Sequence, residues 1–276
     1  MRRLFIMAIL ALLGPCAAWA QRPGPIQPPE PPRIKRVPLH AEIPPPPLPP
    51  DQIVLRFTTH EAKYKAAFEK FGFLQTIDVE ERGKHGAPSG IYQVKVESYL
   101  KPNGERYERI LSRSPSSLHY LHLSAQDLEV LAEMPLFPLA GNAVLDYKFD
   151  YRGTEKLDEL TTYVFRVEPK KTQTGRPLFS GLIWVDNQDL AIVKSYGQFL
   201  TGLPKSPDAL PFSFFETIRE NTEGKYWFPA FIRSDDVLNL SDHQELPIRL
   251  IIRSTGFRPG QPLLPAAAHR GEASHP

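Results

Sequence analysis

The chain has 276 residues, 41% of them hydrophobic and 23% charged, with 30 prolines, 17 glycines and one cysteine. Thirty-three lysines and arginines against 31 acids leave a net charge of +2, so nothing in the charge balance points to a nucleic-acid partner. This composition excludes collagen, coiled coil and polytopic membrane protein, and fits a secreted, mostly antiparallel β domain.

The chain opens on Met1-Arg2-Arg3, an apolar run from Leu4 to Leu13 too short to span a bilayer, and Ala18-Trp19-Ala20, a small-x-small end. That is the pattern of a signal peptide cleaved near Ala20, with export to the periplasm or beyond. The rival is a lipoprotein acylated on Cys16, but Pro15 stands where a small residue is required. On either reading the folded part has no thiol, which removes disulfides, thiolate catalysis and cysteine zinc sites. Residues 21–50 hold 13 of the 30 prolines and read as a disordered linker arm, which could also dock an envelope partner. The tail from Arg258 reads as disordered too, leaving 51–257 as the folded domain.

Within the domain, Thr58 and Glu61 form a capping box, apolar residues follow at Tyr64, Ala67, Phe68 and Phe71, and Gly72 stands where a glycine ends helices. The period then becomes two. Ile77 and Val79 alternate with charge, and Tyr92, Val94 and Val96 alternate with Gln93, Lys95 and Glu97. Asn103-Gly104 turns the chain back along Glu105 to Ser112, and Ser124 caps a short second helix, Asp127 to Met134, stopped by Pro135. Strands follow at about 144–152, 160–168, 179–186, 190–200, 212–221, 225–238 and 247–256, joined by breaks too short for parallel crossovers. The expected fold is mainly β (α+β): a curled antiparallel sheet of about ten strands, an incomplete barrel packed on two helices. Two sheets packed face to face is the alternative.

Candidate chemistry is sparse. There is no G-x-S-x-G elbow, and Ser112 to Ser117 reads as a turn. His60-Glu61 begins like H-E-x-x-H, but Tyr64 takes the place of the second histidine, so the cap explains Glu61 better. His119 and His122 alternate with Tyr120 and Leu121 as on a strand, and Asp242-His243 sits in a polar turn. Glu80-Glu81, Asp235-Asp236 and Asp158-Glu159 read as solvated strand ends. No catalytic residue, metal or cofactor is expected, and a monomeric, non-enzymatic protein follows; a hydrolase whose residues converge only in space is the further alternative.

The strands are loaded with aromatic residues, which can fill a core or line a pocket for a greasy ligand. Tyr147, Phe149, Tyr163 and Phe165 repeat at spacing two on strands read as neighbours, and with Trp184, Tyr226 and Phe228 they are the candidate cavity lining. Phe214 and Phe215 must face opposite ways, so both sides of their strand are expected to be covered.

Tyr163-Val164-Phe165-Arg166-Val167-Glu168-Pro169-Lys170, then Gly181-Leu182-Ile183-Trp184-Val185-Asp186 and Leu190-Ala191-Ile192-Val193-Lys194, resemble the "Y-x-L-x-L-x-P-K", "G-x-x-W-V-D" and "hydrophobic-K" strands of the LolA/LolB-like outer-membrane lipoprotein-sorting superfamily. Gly224-Lys225-Tyr226-Trp227-Phe228-Pro229 is similar to a later strand of the same proteins, and the run from Tyr107 to Ser116 resembles secreted proteins of acidobacteria. The resemblance implies an incomplete antiparallel barrel over helices, with a hydrophobic cavity that accepts a lipid, an acyl chain or an acylated partner. That family's soluble carrier latches a helical lid with an arginine inside the cavity, and no motif in this sequence singles one out. At ~0.8 kcal/mol per buried CH₂, a sixteen-carbon chain contributes on the order of 10 kcal/mol before ordering costs. Such a carrier needs no charged site. An envelope sensor that binds a protein partner through the same fold is the second reading.

Overall fold

The structure is a computed structural model that describes residues 45–260 except 84–85, 102, 125–126, 129–130, 132–133, 135, 142, 204–209 and 242–243. The expected leader, most of the linker arm, nearly all of the tail and the Asp242-His243 pair lie outside the described residues. None of the helices among the described residues is long and apolar enough to cross a membrane.

Helix α1 spans Pro50–Phe68. Proline suits its first turn, where an N–H has no partner in any case, and Asp51 there complements the helix dipole. Ile53, Val54, Phe57, Tyr64 and Phe68 are buried, at the spacing of one helical face. This face reaches upstream of Thr58, so the capping-box match there is overruled. Thr58 Oγ1 instead donates to the Val54 carbonyl inside the helix at 2.9 Å. Gly72 ends no helix; it already belongs to the first strand, β1.

The strands are β1 (Phe71–Arg82), β2 (Pro88–Leu100), β3 (Arg106–Arg113), β4 (Tyr147–Leu157), β5 (Leu160–Pro169), β6 (Leu178–Asp186), β7 (Ile192–Leu200), β8 (Phe214–Thr222), β9 (Tyr226–Asn239) and β10 (Glu245–Pro259). They form one ten-stranded sheet in the order β3-β2-β1-β10-β9-β8-β7-β6-β5-β4. Every pairing is antiparallel, and β3 and β4 are the edges, so the sheet is not closed into a barrel. It is no simple meander, because β10 returns beside β1, with Ile77 opposite Ile252 and Val79 opposite Leu250. The chain then travels from one edge to the other through residues 114–146. That stretch ends in the four-residue helix α2, Ala143–Asp146. The expected second helix is described only in part: Asp127, Leu128 and Leu131 are helical, and at its start Ser124 Oγ accepts from Asp127 N–H at 3.1 Å while Asp127 Oδ2 accepts from Ser124 N–H at 2.7 Å.

The inner face of the sheet is covered by α1 and by this crossing segment. Ile53 and Phe57 pack with Tyr163, Phe165, Val167, Ile183, Val185 and Ile192. Leu121 and Leu131 pack with Ile77, Val79, Ile232, Ile248 and Leu250. Rings of Phe68, Phe71, Phe73, Phe137 and Phe228 close the end near the C-terminus of α1. The outer face carries cross-strand ion pairs: Lys194–Glu216 at 2.7 Å, Arg249–Asp235 at 2.5 Å and Arg253–Asp78 at 2.9 Å. Asp235 is thus exposed, as expected, but sits within β9 and is ion-paired instead of standing free at a strand end. Burial pushes its carboxyl up, but hydrogen bonds from Arg249 and Arg233 outweigh that and hold it below its ordinary value.

Gly181 of β6 faces Gly197 of β7. A Cβ on Gly181 would lie 2.2 Å from the Tyr196 carbonyl oxygen, and one on Gly197 2.4 Å from that of Ser180. Either contact is with backbone, which cannot step aside. Gly181→Ala and Gly197→Ala should therefore each lower stability by about 1–3 kcal/mol in urea unfolding. Gly224→Ala, which meets nothing within 4 Å but has a positive φ, should cost about 1 kcal/mol or less.

Candidate functional site

The side chain that organises the inner face is Glu61. It lies in the apolar stripe of α1, is fully buried, and meets Arg219 of β8 as a two-pronged ion pair, with Oε2 accepting from Nη2 at 3.0 Å and Oε1 from Nη1. Glu61 is therefore not a cap. Arg219 Nη2 also donates to the Leu136 carbonyl at 3.3 Å, and its guanidinium lies 4.9 Å over the Phe137 ring. One buried arginine thus ties α1, β8 and the crossing segment together.

Two more polar ties fix α1. His60 Nδ1 lies 3.0 Å from the Leu190 carbonyl oxygen, so this imidazole anchors the helix to the β6–β7 turn. In that turn Asp186 Oδ2 accepts from the N–H groups of Gln188 and Asp189, which makes the Trp184-Val185-Asp186 motif a structural one. Burial, reinforced by Asp189 and Glu61, pushes the neighbouring Tyr64 hydroxyl up to about 12. At the other end of α1, Arg106 Nη2 donates to the carbonyls of Phe68 and Phe71 at 3.0 and 3.1 Å.

The crossing segment is held first at Glu81, which is buried rather than a solvated strand end. Its carboxylate accepts from the N–H groups of His119 (2.9 and 3.0 Å), Tyr120 (2.6 Å) and Leu121 (2.8 Å). Burial pushes this carboxyl up, but those hydrogen bonds win and hold it below its ordinary value. Ser114 and Ser117 do not make a turn as expected. Their hydroxyls accept from Gln93 and Ile91 N–H at 2.9 Å each while their own N–H groups donate to the carbonyls of the same two residues, so pairing along β2 continues past Pro115. His119 stands beside Glu81, Nδ1 to Oε2 3.4 Å, and shares no metal site with His122: among the described residues no group of three or more His, Cys, Asp or Glu could hold a metal ion.

Between this segment and the sheet lies a cleft of about 10 Å³, lined by Met134, Leu136, Pro138, Phe179, Ser195, Phe199, Phe215, Thr217 and Ile232. That is room for roughly one water molecule. None of the residues expected to line a cavity borders it. Tyr147, Phe149, Tyr163 and Phe165 do come together, but packed under α1: Phe57 lies 5.6 Å from Phe149 and 5.9 Å from Phe165, and the Tyr147 hydroxyl accepts from Phe179 N–H at 3.0 Å. Tyr226 and Phe228 stack at 5.4 Å in the ring cluster at the end of α1, with Phe68 5.2 Å from Phe228. Trp184 faces the other way. It sits between the inward Ile183 and Val185, opposes Val164 and Lys194, and donates Nε1–H to Glu155 at 2.8 Å. Phe215 and Phe214 do point to opposite faces. The outer side is not covered, since Phe214 stacks on Tyr196 at 6.0 Å and both are more than 40% exposed.

No protein-family model matches this chain and no curated protein matches it. The chain is similar to solved structures at low identity. One is a putative outer membrane lipoprotein-sorting protein domain from Vibrio parahaemolyticus, with 12% identity over 74% of this chain and 92% of that one and a TM-score of 0.34. A LolA superfamily protein from Nitrosomonas europaea shares 15% identity over 75% and 95%, with a TM-score of 0.30. The Pseudomonas aeruginosa MucA/MucB complex matches at 11% identity over 76% and 98%, with a TM-score of 0.23.

Arg219→Met strands a buried carboxylate and should cost about 3–5 kcal/mol in urea unfolding, whereas the double change Glu61→Leu with Arg219→Met should recover most of it. Glu81 gives a pH signature. Because its folded pKa is lowered from 4.5, its contribution is present above about pH 4.5 and is lost as pH falls through the folded value. Glu81→Gln should lower stability at pH 7 by about 1–3 kcal/mol and flatten the acid limb of the stability profile below pH ~4.5.

Proposed function

We propose that this chain is an exported binding protein of the cell envelope that holds an acyl chain, free in a lipid or attached to a lipidated partner, between the inner face of its sheet and Met134, Leu136 and Pro138 of the crossing segment. The observation that carries the reading is the cleft itself: seven of its nine lining side chains are apolar, and among the described residues the polar tie from the sheet to those that close it is Arg219, which bonds the Leu136 carbonyl and lies over the Phe137 ring. At about 10 Å³ the cleft admits no chain as it stands, so a guest enters only when Leu136 leaves Arg219. Parting costs little in polar terms. The guanidinium keeps Glu61 as its partner, and the bond given up is of the order of 1.5–3 kcal/mol. Each buried CH₂ of the guest returns ~0.8 kcal/mol.

Binding of an envelope protein is the second reading, and the two sheet edges favour it. The exposed positions of edge β4 include Lys148, Asp150, Arg152 and Lys156, charges that discourage strand addition. Edge β3 also carries exposed charges, Glu108 and Arg113, but exposes Tyr107, Ile110 and Leu111 beside them, apolar side chains that an added extended backbone could cover.

Protein purified from its native envelope should release an acyl lipid on organic extraction, and the delipidated chain should bind the apolar probe 1-aminoanthracene with its emission shifted to the blue. Absence of both results ends the acyl-chain reading. Should a protein partner co-purify instead and be lost in Ile110→Lys, the edge-strand reading takes its place.

A further inference from the structure

The floor of the cleft holds a pair of hydroxyl groups. Ser195 of β7 and Thr217 of β8 are directly opposed in the ladder and both line the cleft. Side chains opposed in this way lie roughly 4.5–5.5 Å apart at Cβ, so both hydroxyls can converge on one acceptor atom. Among the described residues no charged side chain lines the cleft. The nearest inward cation along β8 is Arg219, two positions beyond Thr217, and it is committed to both oxygens of Glu61 and to the Leu136 carbonyl.

This arrangement suits a neutral carbonyl and not a carboxylate. An ester or amide oxygen brought into the cleft needs one or two donors, and two hydroxyls supply them. An ionised carboxylate brought to the same place loses its water, gains no cation, and is driven to its neutral form instead. Resting on the acyl-chain reading, we infer that Ser195 and Thr217 form a polar subsite that selects chains ending in an ester or amide carbonyl over free fatty acids.

The test uses the full chain loaded with 1-aminoanthracene and displaced by dodecanoate or by its neutral glycerol ester, monododecanoylglycerol. At pH 8 the ester should displace the probe at a concentration at least about tenfold below that of the acid, for want of a cation beside the carboxylate. Between pH 8 and pH 6 the apparent affinity of the acid should climb about tenfold per unit as its neutral fraction grows, while that of the ester stays level. In the double variant Ser195→Ala, Thr217→Val the ester should bind severalfold more weakly with the probe still bound, and the acid, which enters as its neutral form with the same carbonyl, should weaken alongside it. Equal competition by acid and ester at pH 8, or an ester affinity unchanged in the double variant, overturns the subsite and leaves the acyl-chain reading standing. If the probe and both lipids fail to bind, the acyl-chain reading falls and the subsite falls with it.

Discussion

A buried charge is the constraint on which the inner side of this protein is arranged. Glu61 lies in the apolar face of α1, where an unpaired carboxylate could not stay ionised, and Arg219 is placed on β8 to meet it. Their register fixes how the helix lies across the sheet, since one turn of slippage would leave both charges without partners. Aromatic packing fills the space on either side of the pair, Phe57 against Phe149 and Phe165 toward one end and Phe68 against Phe228 toward the other. The packing supplies bulk stabilisation and the ion pair supplies position, because apolar surfaces tolerate sliding better than a two-pronged hydrogen-bonded pair does.

The crossing segment is held unequally. Near its start, three successive backbone N–H groups converge on the Glu81 carboxylate, and serine hydroxyls continue the edge of β2. Near residue 136 the polar hold among the described residues is the Leu136 carbonyl and the Phe137 ring, both on an arginine already paired with its carboxylate. That difference places the weaker contact over an apolar part of the inner face, beside Phe199, Phe215 and Ile232. The acyl-chain reading follows from this juxtaposition of a cheap polar contact and an oily floor, and the proposed hydroxyl subsite sits within the same floor.

Much of the fold is legible in the sequence, because alternation along a half-buried strand is a local signal. All ten strands announce themselves this way, and Asn103-Gly104 marks its hairpin, with Gly104 at φ 82°. What alternation leaves open is which parity faces inward and which strands meet across the sheet. Trp184 reads as well as Phe165 for a cavity wall until the pairing of β5 with β6 sends it outward, and nothing local brings β10 home beside β1. The start of α1 is missed for a different reason: a proline-rich run masks a helix whose first turn tolerates proline, while Thr58 and Glu61 offer a local cap that tertiary burial overrides. A signal for the true role of Glu61 was present. It falls four residues after Phe57 and three before Tyr64, within the apolar stripe, and an acid there demands a buried cation. Which cation cannot be read, because Arg219 is 158 positions away in the chain.

On the acyl-chain reading the guest enters the inner space between the sheet and Met134, Leu136 and Pro138, and not the exposed aromatic surface of β7 and β8 on the far side. Nuclear Overhauser contacts from the methylene protons of bound monododecanoylglycerol report this most directly. The account predicts contacts to the methyl groups of Leu136 and Ile232 and to the Phe215 ring. Contacts confined to Ile218, Tyr196 and Phe214 would contradict it.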